Sequence, residues 1–306
     1  MSKKITILIA ALVLAALILT GPAWPGTLPS SLVPEGARWV VHVDMEQFVA
    51  TELYKELAKE DRFKVKGTEI NRLLKIDWRK DISGLTIFGL GAGKEQVVFA
   101  AAGRFDKPRL LTLLDLDTDH QDIPYGAFTV YSTGDDEFWA FINDGLIVFS
   151  ESREAMERVL DTAGGKAKSF VSSELNAAFQ DISSGAFLSG VIENLAGMGR
   201  EIAKSKFAGK AKSLSFLARE VQDSLKVRVL VTADSPENAK RMADMAQGLA
   251  AMIQLEEKEG EKARWASLAK EIQVKLEGKA VRLELDMPSR DIVNLTSHEL
   301  IMNFFD

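Results

Sequence analysis

The chain has 306 residues, 46% of them hydrophobic, and a formal net charge of −6. That is apolar mass for one large or two ordinary packed domains, and it excludes global disorder. The acidic balance, without any basic stripe, disfavours nucleic acid and anionic lipid. The absence of cysteine excludes disulfides, thiol chemistry, Cys-ligated zinc and a lipid-modified N-terminal cysteine.

Lys3 and Lys4 precede an apolar run from Ile5 to Leu19, and Thr20-Gly21-Pro22-Ala23 follows with small residues. This is the pattern of a secretory signal cut after Ala23, so residues 1–23 are a signal peptide or, uncleaved, an N-terminal anchor. The run is short against the ~20 residues that span a bilayer. Residues 24–35 carry Pro25, Gly26, Pro29 and Pro34 and read as a linker.

Arg38 to Val43 is a strand apolar on both faces. Asp44 caps a helix over Met45 to Lys59, and Gln47 completes a capping-box-like pair. Glu69 to Lys75 is a short helix. Leu85–Phe88 and Gln96–Ala102 form a hairpin, and Asp106 caps a helix bearing Leu110, Leu111 and Leu114. Three strands follow, Ala127–Tyr131, Glu137–Ile142 and Leu146–Ser150, then a helix opened by Ser152-Arg153-Glu154 and closed at Gly164-Gly165.

A fainter copy begins at Gly185-Ala186. Ala186–Ile192 is its leading strand, Leu195–Lys206 its first helix, and Ser213–Val221 with Leu225–Thr232 its first hairpin. Ser235 and Pro236 open the next helix. Ile272–Leu276 and Val281–Asp286 are the second hairpin, and Ser289-Arg290-Asp291 opens the last helix. The order strand, helix, hairpin, helix, hairpin, helix therefore occurs twice. The expected fold is α+β: two related units of mainly antiparallel sheet, residues 36–165 and 166–306, with helices packed on one face.

No motif assembles a reaction. Gly89-Leu90-Gly91-Ala92-Gly93-Lys94 lacks the third glycine of a dinucleotide loop and the Ser or Thr of a P-loop, and leads into a strand. Asp115, Asp117, Asp119 and Asp122 alternate like a calcium loop, but His120 and Gly126 stand where glycine and glutamate are required. They read as a solvated acidic loop. His42 and Asp44 share a strand face without a third catalytic partner, and Asp44 is the better helix cap. His298-Glu299 begins like a zinc-protease helix, but Met302 stands where the second histidine belongs. No catalytic residue, metal or cofactor is assigned.

The helix from Pro236 to about Leu255 is the one ligand-binding candidate. Ala239, Met242, Ala243, Ala246, Leu249, Ala250 and Ile253 recur at helical spacing, and Met245 and Met252 widen the apolar surface. Core packing against the sheet is the ordinary reading. A groove for an apolar ligand or partner helix is the functional one, with Met242, Met245, Leu249 and Met252 as its lining.

Leu32-Val33-Pro34-Glu35-Gly36-Ala37, an apolar strand and then Asp44 resemble the start of some uncharacterised exported bacterial envelope proteins. The resemblance implies an envelope location and duplicated α+β units; it brings no catalytic residues. The working expectation is a non-enzymatic exported binding or scaffolding module with a protein partner. The alternatives are a carrier of an apolar or amphiphilic ligand between the repeats and a hydrolase using carboxylates dispersed in sequence. A carrier should show an apolar cavity, a hydrolase a polar cleft with shifted carboxylates, and a scaffold an exposed apolar patch or sheet edge.

Overall fold

A computed structural model describes residues 31–59, 78–91, 96–133, 137–170, 185–193, 208–255 and 260–296. The expected signal or anchor, most of the linker, and the helices expected at 69–75 and 195–206 lie outside these residues, as does part of the glycine-rich turn.

Among the described residues, twelve strands form one antiparallel sheet in the order β11-β12-β10-β9-β8-β1-β2-β3-β7-β6-β5-β4. The first seven are β1 (Trp39–Asp44), β2 (Ile82–Gly89), β3 (Val97–Gly103), β4 (His120–Tyr125), β5 (Phe128–Thr133), β6 (Phe138–Asn143) and β7 (Leu146–Ser150). The rest are β8 (Leu188–Glu193), β9 (Ala211–Val221), β10 (Ser224–Ala233), β11 (Gln273–Glu277) and β12 (Ala280–Pro288). The leading strands of the two expected units are neighbours: β1 pairs with β8, with Val41 opposite Gly190 and His42 opposite Ser189. The expected α+β class holds, and both halves lie in one sheet.

Side chains alternate between the faces, and different helices cover each. On the front face Val40, Phe88, Val98 and Val148 pack under α5 (Arg153–Ala163), whose Met156, Val159 and Leu160 are buried. Burying each such side chain contributes about 1.5–3 kcal/mol. Leu32 and Val33 close the same core, and Phe170 N–H donates to the Val33 carbonyl at 2.6 Å.

On the back face Leu85, Ala218 and Leu225 pack under α1 (Met45–Ala50), α2 (Glu52–Leu57) and α8 (Ser289–Thr296). Val231, Ala233 and Val281 pack under α6 (Pro236–Leu255). The expectation that helices occupy one face is thus corrected. A sheet whose central strands are apolar on both sides needs cover on both.

Three local readings also change. The helix expected over Met45–Lys59 is two, because Thr51 turns extended (ψ 153) and its hydroxyl accepts from the Tyr54 N–H. The stretch expected as an acidic loop includes β4, an edge strand; Pro124 is tolerated at an edge, where half the backbone groups have no ladder partner. A further helix, α7 (Gly260–Glu271), follows α6. The remaining described helices are α3 (Trp78–Asp81), which leads into β2, and α4 (Lys107–Leu114).

Candidate functional site: an exposed helix face and a charged groove

The start of α6 is fixed by local chemistry. Asn238 N–H donates to Ser235 Oγ at 3.2 Å, Asn238 Nδ2 donates to Asp234 Oδ1 at 2.6 Å, and Pro236 supplies the first turn. Ala239, Met242 and Ala243 are buried against β10 and β12. Of the four expected ligand residues, Met242 therefore belongs to the core. The other three point outward: Met245 is 47% exposed, Leu249 54% and Met252 66%, and Leu255 beyond them is 84% exposed. The i, i+4, i+7 spacing puts Met245, Leu249 and Met252 in one row. Gly248 lies in that row, with open space where a Cβ would sit. None of this row lies at the β1–β8 junction. The far end of the helix is held by α7, where Gln254 Nε2 donates to the Ala269 carbonyl at 3.0 Å. No helix among the described residues is long and apolar enough to cross a membrane.

The second feature lies on the front face of β9, β10, β12 and β11, opposite α6. It is a groove of about 320 Å³ whose lining includes Leu217, Arg219, Lys226, Arg228, Glu284 and Asp286. Cross-strand register creates its ion pairs. Lys226 faces Asp286, and Arg228 faces Glu284. Lys226 Nζ is 2.5 Å from Asp286, Arg228 Nε 3.3 Å from Glu284, and Lys275 Nζ 2.7 Å from Glu284. The Lys275 hydrogen bond, aided by the charges of Lys275, Arg228 and Arg282, holds the Glu284 carboxyl below its ordinary range. Hydrogen bonds from Lys226 and Ser224 do the same to Asp286. A general-acid carboxyl needs its pKa raised, so these two groups suit charge pairing.

The candidates weighed from sequence are otherwise engaged. His42 is 4% exposed and its Nδ1 lies 2.9 Å from Thr86 Oγ1. Asp44 accepts from the Gln47 backbone at 2.9 Å and the Gln47 side chain at 2.6 Å, the expected cap. Sequence reasoning missed Ser189, which register sets opposite His42, but at 1% exposure it is closed to substrate. Asp117 turns its carboxylate to the Asp119 N–H at 3.1 Å, and His120 Nε2 lies 2.8 Å from Asp122. Among the described residues no group of three or more His, Asp or Glu is placed to hold a metal.

No protein-family model matches the chain. No curated protein matches its sequence significantly. Solved structures of TP0453 are similar in fold. Crystal form III has a TM-score of 0.52 at 9% identity, covering 89% of this chain and 98% of that one. Crystal form IV has a TM-score of 0.51 at 8% identity, covering 89% and 97%. The likeness is one of fold, nearly end to end in the solved protein.

Proposed function

We propose that this chain is an exported, non-catalytic binding module of a bacterial envelope, built by internal duplication, that holds a protein partner along the outer face of α6. The observation that carries the reading is the row Met245, Leu249, Met252 with Gly248 among them. Large apolar side chains exposed in one row are a docking signature when contiguous. A glycine inside a helix costs about 1 kcal/mol relative to alanine, and Gly248 has no neighbour within 4 Å to justify it. A notch there lets the backbone of another helix approach closely. The partner surface is accordingly an apolar helix, read at i, i+4 and i+7.

Duplication is supported by the sheet. Reading outward from the β1–β8 seam, the leading strand is followed by two pairs on each side, β2–β3 then β7–β6 in one direction and β9–β10 then β12–β11 in the other, and the first half carries a further pair, β5–β4. Asp44 N–H donates to the Phe187 carbonyl and Glu193 N–H to the Arg38 carbonyl, each at 2.8 Å, as a local two-fold would require. The helices that close the halves have diverged, α5 to the front face and α8 to the back. Among the described residues, no helix like α5 covers the front of β9, β10 and β12. Export rests on the N-terminal charge and apolar pattern.

The test is a paired substitution. Met245→Glu with Leu249→Glu should leave thermal unfolding unchanged and abolish co-isolation of the partner from the envelope fraction. Equal recovery of partner by the variant would refute the assignment of the surface.

A further inference from the structure

Among the described residues, the charged groove holds a cation without a counter-charge. Lys226 is met by Asp286 and Arg228 by Glu284. Arg219 lines the same groove, yet among the described residues it makes no ion pair or hydrogen bond, and its Nε is buried with no acceptor. Its cross-strand neighbour is Lys226, a like charge. Asp286 offsets the Lys226 charge, which leaves the Arg219 guanidinium as the member of the pair without a carboxylate of its own among the described residues. Arg219 cannot shed its charge, because a guanidinium stays protonated in proteins. Nor is the strand free to turn it away: the adjacent Glu220 is anchored on the back face by the N–H groups of Glu52 and Leu53.

We propose that Arg219 anchors an anion site on the front face that takes the carboxylate of a small organic acid. The planar fork of arginine matches a carboxylate with two parallel hydrogen bonds. Charge selects the class. Arg219, Lys226 and Arg228 stand against Glu284 and Asp286 in the lining, and Lys275 and Arg282 also bear on Glu284, so the groove is positive. A dianionic phosphate would face two carboxylates that are themselves ionised, whereas one carboxylate need face only the Arg219 fork. Leu217, 5% exposed, offers an apolar wall for the carbon chain. The groove lies on the face opposite α6, so the site stands independently of the partner surface proposed above.

The direct test is an NMR titration of the full chain, following arginine Nε–H signals as propionate, chloride or inorganic phosphate is added at constant ionic strength. The Arg219 signal should move and saturate with propionate and stay still with chloride. By calorimetry Arg219→Gln should weaken propionate binding by about tenfold or more, and Arg219→Lys, which keeps the charge but loses the fork, should weaken it less. Arg241→Gln, on α6, should bind as the unmodified chain does. A response to chloride equal to that with propionate would overturn the site. Tighter binding of phosphate would overturn the carboxylate assignment. The titration on the unmodified chain needs no variant to fold.

Discussion

Replacing Glu220 by alanine removes one carboxylate that joins three elements. Glu220 lies on the back face near the end of β9 and accepts from the backbone N–H of Glu52 at 2.5 Å and of Leu53 at 2.8 Å, at the start of α2. It also accepts from the hydroxyl of Ser289, the first residue of α8, which is 0% exposed. The clamp therefore ties a helix of the first half to a strand and a helix of the second. Loss of a helix cap costs about 0.5–2 kcal/mol, and stranding a buried hydroxyl costs about 1–3 kcal/mol. These share one carboxylate and do not add fully, so the expected loss is about 2–4 kcal/mol. For a chain of this length that lowers Tm by roughly 3–6 °C. Glu220→Gln keeps one acceptor oxygen and should lose about half as much. Calorimetry reads the size, and hydrogen exchange reads the place: amides of 52–57 should lose protection while those of β3 keep it. A Glu220→Ala chain within about 0.5 kcal/mol of the parent would refute the clamp.

Gln222 and Asp223 turn the β9–β10 hairpin with φ of 52 and 62, a conformation that favours Asn-Gly. The double substitution Gln222→Asn, Asp223→Gly should raise stability by about 1 kcal/mol in urea unfolding. Met242→Ala, in the α6 core, should cost about 2–5 kcal/mol, whereas Leu249→Ala on the exposed face should stay within about 0.5 kcal/mol of the parent. Gly190→Ala places a Cβ 2.4 Å from the Phe216 ring and 3.1 Å from the Val40 carbonyl at the seam between the halves; about 1–3 kcal/mol should be lost on thermal unfolding. Glu284 and Asp286 have folded pKa values below their unfolded ones, so their contribution is full above the unfolded range. It fades as pH falls from about 4 through the lower folded values. The urea midpoint should drop over that range, and Glu284→Gln with Asp286→Asn should flatten the drop.

Most of the strands were legible because alternation and turn chemistry are local. Asn143-Asp144-Gly145 joins β6 to β7 by local turn chemistry, with Gly145 N–H donating to Asn143 Oδ1 at 2.8 Å. The Asp44 cap was legible for the same reason. β4 was not, since an edge strand with Pro124 needs only one partner and its acidic residues mimic a loop. The break at Thr51 was hidden because a threonine within a helical pattern gives no stop signal of its own, and the carboxylate that meets the start of α2, Glu220, lies far along the chain. On α6 the apolar positions were legible, but their division was not: which of Met242, Met245, Leu249 and Met252 meet the sheet depends on where β10 and β12 end beneath the helix. The groove was invisible in sequence because its ion pairs arise from the register of β9, β10 and β12. Arg219 shows no signal until Lys226 is set opposite it.

The most direct test of the partner surface is a photo-crosslinking side chain placed at Leu249 and, separately, at the exposed turn residue Lys279, in cells with an intact envelope. One discrete adduct of constant mass should form from Leu249, absent from Lys279 and lost when Gly248 is replaced by a bulky residue. Identical, diffuse labelling from both positions would contradict it. A single adduct of twice the chain mass would make the partner a second copy of this protein.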